Sequence, residues 1–266
     1  MTLKITTLAM ALLATAVFAL PAAADTVLDQ KFEDPTWNEA PGQPLTDAIA
    51  ALREAHPYLY DVRSLDMTRT HVTRGYMGRG LEVDIPTGGF RGFGPYARLP
   101  EPVDHAWFRY YVRLVDFRPV SSGKLPGLAD ASTTPTAKGC KPSTTDNPGW
   151  SARLMFDTVG TGGAGLDEVP IGYYLYHLDQ AADCGDELMF GVGLRQERWT
   201  CVEGEVRMNT PGVNDGAVAA WIDSRKVFAR DGLAFRRSGE DGVSVRELWD
   251  NVYFGGRYST PNPLSL

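Results

Sequence analysis

Apolar and polar positions alternate with a period of two through most of the chain beyond residue 25. The alternation predicts strands over 27–32, 80–85, 105–116, 150–157, 172–177, 188–192, 198–208, 217–222 and 245–254, each bounded by Gly, Pro, Asn or Asp. One stretch has helical spacing instead. Pro44 suits a helix start, Leu45, Ala48, Ile49 and Leu52 follow at steps of three and four, and the pattern stops before Pro57. Short strands, one short surface helix and no strand–helix alternation predict an all-β fold, an antiparallel sandwich of two sheets. Along 150–157, alternation puts Trp150, Ala152, Leu154 and Phe156 on an apolar face that should enter the core. Ser151 and Arg153 then face solvent or a groove. In 172–177, Tyr174 and Tyr176 share one face, while Tyr173, Leu175 and His177 share the other.

The first 24 residues differ in kind. Lys4 precedes an apolar run over 8–20, and Pro21-Ala22-Ala23-Ala24 offers small residues for cleavage. This reads as a secretory signal peptide over 1–24, leaving a single domain over 25–266, secreted or periplasmic. No later segment has the roughly 20 apolar residues of a spanning helix. Composition agrees with a turn-rich β fold: 28 Gly and 18 Pro among 266 residues are roughly 17%, against about 12% in average usage. The net charge is −7 and no basic tract is present, which argues against a nucleic-acid partner.

Export makes the three cysteines a redox question. Cys140 and Cys184 lie in loop-like sequence and Cys201 in a strand-like one, so a Cys140–Cys184 bridge is expected, with Cys201 free and buried. Residues 130–148 form a long loop rich in Thr, Ser and Pro, expected to border the functional site.

Several familiar chemistries lack support. The Gly-rich 160–165 is followed neither by a helix pattern nor by Lys-Ser/Thr, so it is not a phosphate loop. His56, His71, His105 and His177 are scattered, without the His-Glu-x-x-His spacing of a metallohydrolase. Ser151 lies in strand sequence and lacks the Gly-x-Ser-x-Gly elbow of a serine hydrolase. Asn214-Asp215-Gly216 suits a turn better than a calcium site.

A set of cations and phenols remains: Lys124 in the turn-rich Gly123-Lys124-Leu125-Pro126-Gly127-Leu128, Arg153 with Ser151, and Tyr174 with Tyr176. Those segments, with Gly149-Trp150-Ser151-Ala152-Arg153, Tyr173-Tyr174-Leu175-Tyr176-His177, Asn209-Thr210-Pro211-Gly212, Asp215-Gly216 with Trp221-Ile222-Asp223, and Asn251-Val252-Tyr253-Phe254-Gly255-Gly256, resemble in order polysaccharide lyase family 14, which contains alginate and glucuronan lyases. The resemblance implies a concanavalin-like β-jelly roll with a cleft on its concave face and a metal-independent β-elimination. It matches Lys124, Ser151, Arg153, Tyr174 and Tyr176 to the catalytic set. Arg113, His177 and Asn209 complete the candidates as substrate contacts. The expected partner is an acidic polysaccharide substrate and the expected state of the protein a monomer, with no cofactor, metal, nucleic acid or membrane.

These residue types suit that chemistry independently of the family. Eliminating a 4-linked uronate removes the proton at C5, which is weakly acidic while the neighbouring carboxylate keeps its charge. A cation beside the carboxylate stabilises the enolate-like anion. An amine or phenol of shifted pKa accepts the proton, and a second phenol protonates the leaving O4. Which tyrosine serves which step, and whether Lys124 is the base, stays open at this level. A non-catalytic carbohydrate-binding sandwich is the alternative reading, with stacking on Trp and Tyr and no need of Lys124. A glycoside hydrolase would require two opposed carboxylates, for which the sequence has no matching strand pattern.

Overall fold

The computed structural model describes residues 50, 53–62, 70–85, 92, 94–117, 122–130, 140, 149–158 and 166–254. The expected signal peptide, the strand at 27–32, the helix start at Pro44, most of the loop 130–148 and the Gly-rich 160–165 lie outside these residues. Helix is described at residues 50 and 53–55, exposed and ending before Pro57.

Among the described residues fourteen strands follow: β1 Leu59–Val62, β2 Thr70–Arg74, β3 Arg79–Val83, β4 Pro95–Val103, β5 His105–Val112, β6 Gly123–Asp130, β7 Trp150–Phe156, β8 Glu168–Tyr176, β9 Asp186–Arg195, β10 Thr200–Arg207, β11 Gly216–Ile222, β12 Arg225–Leu233, β13 Val245–Trp249 and β14 Tyr253–Phe254. The large sheet runs β1-β4-β13-β6-β7-β8-β9, with β14 pairing to β6; the small sheet runs β12-β11-β10-β5, and β2 and β3 form a separate hairpin. All pairings are antiparallel, so the all-β sandwich read from alternation is the observed fold. Among the described residues no helix is long and apolar enough to cross a membrane.

The two sheets enclose one apolar layer. Trp150, Ala152, Leu154 and Phe156 from β7 and Tyr173 and Leu175 from β8 meet Phe108, Val202, Val206, Val218 and Ala220 of the small sheet. Each such large side chain contributes roughly 1.5–3 kcal/mol on leaving water. Tyr173 crosses the layer and donates its hydroxyl to the Ala219 carbonyl at 2.7 Å. Gly204 makes room for that ring, since a Cβ there would run into Tyr173 and Phe108.

Two expectations are corrected. The segment around Lys124 is not a turn but β6, an interior strand of the large sheet. Pro126 fits there because the β6–β7 register shifts between Lys124 and Gly127, and a bulge tolerates a residue without an N–H. Cys201 is free but only partly buried, because alternation along β10 turns Val202 inward and Cys201 outward. Titration of the oxidised, folded protein should therefore find one thiol that reacts without denaturant; three thiols, or none before unfolding, would contradict the structure.

Gly127 is a second checkable point. A Cβ at this position would collide with the backbone of Ala152 and Arg153 on β7. Gly127→Ala should lower stability by about 3 kcal/mol or more, read as a fall in the urea midpoint. An unchanged midpoint would show that β6 and β7 are not so closely apposed.

Candidate active site

Strand register puts the candidate residues on the face of the large sheet that points away from the small one. Three rows cross the strands. One reads Tyr96, Trp249, Gly127, Arg153, Tyr174, Glu187. The next, two residues along, reads Tyr253, Lys124, Met155, Gly172, Met189. On the other side lie Arg98, Glu247, Ala129, Ser151 and Tyr176. Strands in a sheet lie about 4.8 Å apart, so residues adjacent in a row are in side-chain reach. The bulge in β6 is what brings Lys124 and Gly127, three apart, to the same face.

Side-chain contacts follow from this grid. Lys124 Nζ sits 3.4 Å from the centroid of the Tyr174 ring. The Arg153 guanidinium carbon lies 5.8 Å from that ring and 5.3 Å from the Trp249 ring, above Gly127, which leaves the space open. Arg153 Nη1 donates to the Tyr253 hydroxyl at 3.0 Å, while its buried Nε has no protein acceptor. The Tyr174 and Tyr176 hydroxyls are 3.5 Å apart, and the Cys140 backbone N–H donates to the Tyr176 hydroxyl at 2.7 Å. Cys140 and Cys184 are joined by a disulfide, which ties this amide to the β8–β9 turn.

Lys124, Ser151, Arg153, Tyr174 and Tyr176 are all buried. Burial, with the Arg153 guanidinium adding to it, lowers the Lys124 pKa from 10.5 to about 7; Glu187 and Asp157 act against the shift. Burial, followed by the hydrogen bond to Tyr176, raises the Tyr174 phenol well above its ordinary value, with Arg153 opposing. The grid therefore holds a permanent cation, an amine able to lose its proton near neutrality and a phenol that keeps its own.

Residues 75–263 match the family model described as Polysaccharide lyase 14. The chain belongs to polysaccharide lyase family 14. No curated protein matches the chain. Among solved structures, the alginate lyase Aly36B is 19% identical, with a TM-score of 0.63, 86% of this chain and 89% of that one covered. The PL-14 alginate lyase from Aplysia kurodai is 20% identical, with a TM-score of 0.62 over 82% and 90% of the two chains. The alginate lyase vAL-1 from Chlorella virus gives 20%, 0.61, 82% and 92%. At these identities the likeness is one of fold.

The remaining candidates of this polysaccharide lyase are not brought to the cluster. Arg113 follows β5, in the opposite sheet, and pairs with Glu197 at 3.0 Å. His177 is turned from the Tyr174 face: its Nδ1 accepts from the Asp179 N–H, so its Nε2 donates to Asp186 at 2.9 Å. Asn209 has no exposed surface. Its amide group donates to the carbonyls of Thr210, Val213 and Arg236 and accepts from the N–H groups of Phe235 and Arg236, so nothing is left for a sugar. All three are substrate contacts by residue type and structural residues by position.

Sequence reasoning missed Tyr253, which holds Arg153, and Glu187, which lies exposed at the rim opposite Tyr174. Tyr253 was within reach, since it lies in one of the family-like segments; Glu187 gives no local signal. Among the described residues no group of three or more His, Cys, Asp or Glu side chains is placed to ligate a metal.

Proposed function

We propose that this lyase is exported after removal of residues 1–24 and cleaves a 4-linked polyuronate of the alginate or glucuronan type by metal-independent β-elimination. The convergence of Lys124, Arg153, Tyr174 and Tyr176 on one face carries this reading, and the alginate lyases of the same fold support the substrate class. Arg153 neutralises the uronate carboxylate, using guanidinium donors that Tyr253 does not occupy. Lys124, neutral once its proton is lost near pH 7, takes the C5 proton. The C5–H electrons form the C4=C5 double bond as the C4–O4 bond breaks, and Tyr174 gives its proton to O4. Tyr176 and Ser151 orient the ring; the Cys140 N–H on the Tyr176 oxygen leaves the phenolic hydrogen to point toward Tyr174 or substrate.

Purified protein should be screened against alginate, glucuronan and other polyuronates for the ultraviolet absorbance of the unsaturated product. Its appearance with a metal chelator present is the expected result. Binding without product from any polyuronate would favour the non-catalytic module.

A further inference from the structure

The outer face of the small sheet is unlike an ordinary solvated surface. Alternation along β5 sends Phe108 and Tyr110 inward and leaves Trp107, Arg109 and Tyr111 outward, with Trp107 51% and Tyr111 37% exposed. Tyr76, from the β2–β3 turn and 51% exposed, lies flat on Tyr111, the ring centroids 4.1 Å apart and the planes 8° from parallel. Trp221 faces outward on β11, and the Lys226 ammonium sits 4.8 Å from its ring. In register, Trp107 opposes Glu205 and then Ala219, while Arg109 opposes Glu203 and then Trp221. Trp107 and Trp221 are thus two strands and one two-residue step apart, about 12 Å, with Glu203 and Glu205 of β10 in the rows between them.

The chemistry of this face is specific. Its outward positions on β5, β10 and β11 hold rings, charges, Cys201 and Ala217 and Ala219, with no aliphatic side chain larger than alanine. Its guanidinium groups are already paired, Arg109 with Glu203, Arg207 with Asp231 and Arg198 with Asp223, and His105 Nε2 hydrogen-bonds with Glu205. Such pairs offer hydrogen-bonding groups in fixed positions without a strong field. Lys226 differs: among the described residues it has no carboxylate partner, and it stands beside an indole. Flat rings spaced for alternate sugars, with an uncommitted cation at one of them, complement a chain of rings that carry carboxylates.

We propose that this face is a second, non-catalytic site for a polyuronate chain, with sugar rings on Trp107 and Trp221 and a carboxylate at Lys226. It lies on the opposite side of the sandwich from the Lys124 cluster, so one polymer held here keeps its free length available to that cluster. The choice of a polyuronate rests on the function proposed above, and the experiment separates the two.

Native electrophoresis through gels containing alginate or glucuronan measures retention directly. Trp107→Ala combined with Trp221→Ala should weaken retention about tenfold, and Lys226→Gln should weaken it in polyuronate gels but not in a gel of uncharged hydroxyethylcellulose. Turnover of a short oligouronate should be unchanged in these variants, which also reports that they fold. Unchanged retention of the double variant would overturn the site. Equal loss of retention in the uncharged polymer would overturn its assignment to polyuronates. A dimer in light scattering that Trp107→Ala converts to monomer would make the face a self-interface and overturn it too. Trp-dependent retention with no unsaturated product would refute the lyase reading and leave this site standing.

Discussion

Lys124→Ala is expected to lower kcat by at least about 10²–10³ while the protein stays folded. The amine is 2% exposed and lies against the Tyr174 ring. Its pH behaviour is the more discriminating measurement. With the pKa lowered to about 7, the side chain is an ammonium below that pH and an amine above it. As base, Lys124 makes kcat/KM rise through about pH 7; a limb that falls there would assign it to charge neutralisation instead. Linkage sets the stability sign. The folded state holds fewer protons than the unfolded chain between about 7 and 10.5, so stability rises with pH across that window. Lys124→Met should therefore be inactive yet more resistant to urea than the parent at neutral pH, since it removes the need to desolvate an ammonium.

Tyr174→Phe should lose at least about 10² in kcat, the usual range for removing a general acid, with KM little changed. Tyr176→Phe removes a hydroxyl held at 2.7 Å by the Cys140 amide and should cost about tenfold, the worth of one hydrogen bond lost from the transition state. Both changes keep the aromatic ring and its packing, so the loss reports the oxygen alone. Normal turnover in both variants would reject a phenolic proton donor and with it the proposed elimination.

The sandwich was legible because β5 and β10 bury one face and expose the other, and because β7 keeps its core face apolar while Ser151 and Arg153 stand on the opposite one. Strand β6 was not, because its Lys124 to Gly127 stretch accommodates a bulge with Pro126 and a glycine that only the approach of β7 requires. Strand β12 was hidden for another reason: it is an edge strand, largely exposed, with Arg225, Lys226, Arg230 and Asp231 obscuring the pattern. At the site, Ser151 with Arg153 and Tyr174 with Tyr176 could be paired within their own strands. That these pairs lie in adjacent strands, or that Tyr253 and Glu187 flank them, is a matter of register between distant segments. Arg113, His177 and Asn209 show the complementary limit: a polar side chain reveals its partners only when the fold supplies them.

Strand β13 has a consequence for how the molecule assembles. It lies between β4 and β6, so the early strands of the large sheet become continuous only when a segment near the end of the chain inserts between them, and β14 then docks beside Lys124. Contacts of such long sequence separation place the fold among the slow formers, on the millisecond-to-second scale. Until that insertion β4 and β6 present unsatisfied edges, and Arg153 lacks both Trp249 and Tyr253. A chain lacking β13 and β14 would carry Lys124, Arg153, Tyr174 and Tyr176 without the Trp249 ring and the Tyr253 hydroxyl that hold Arg153 in place.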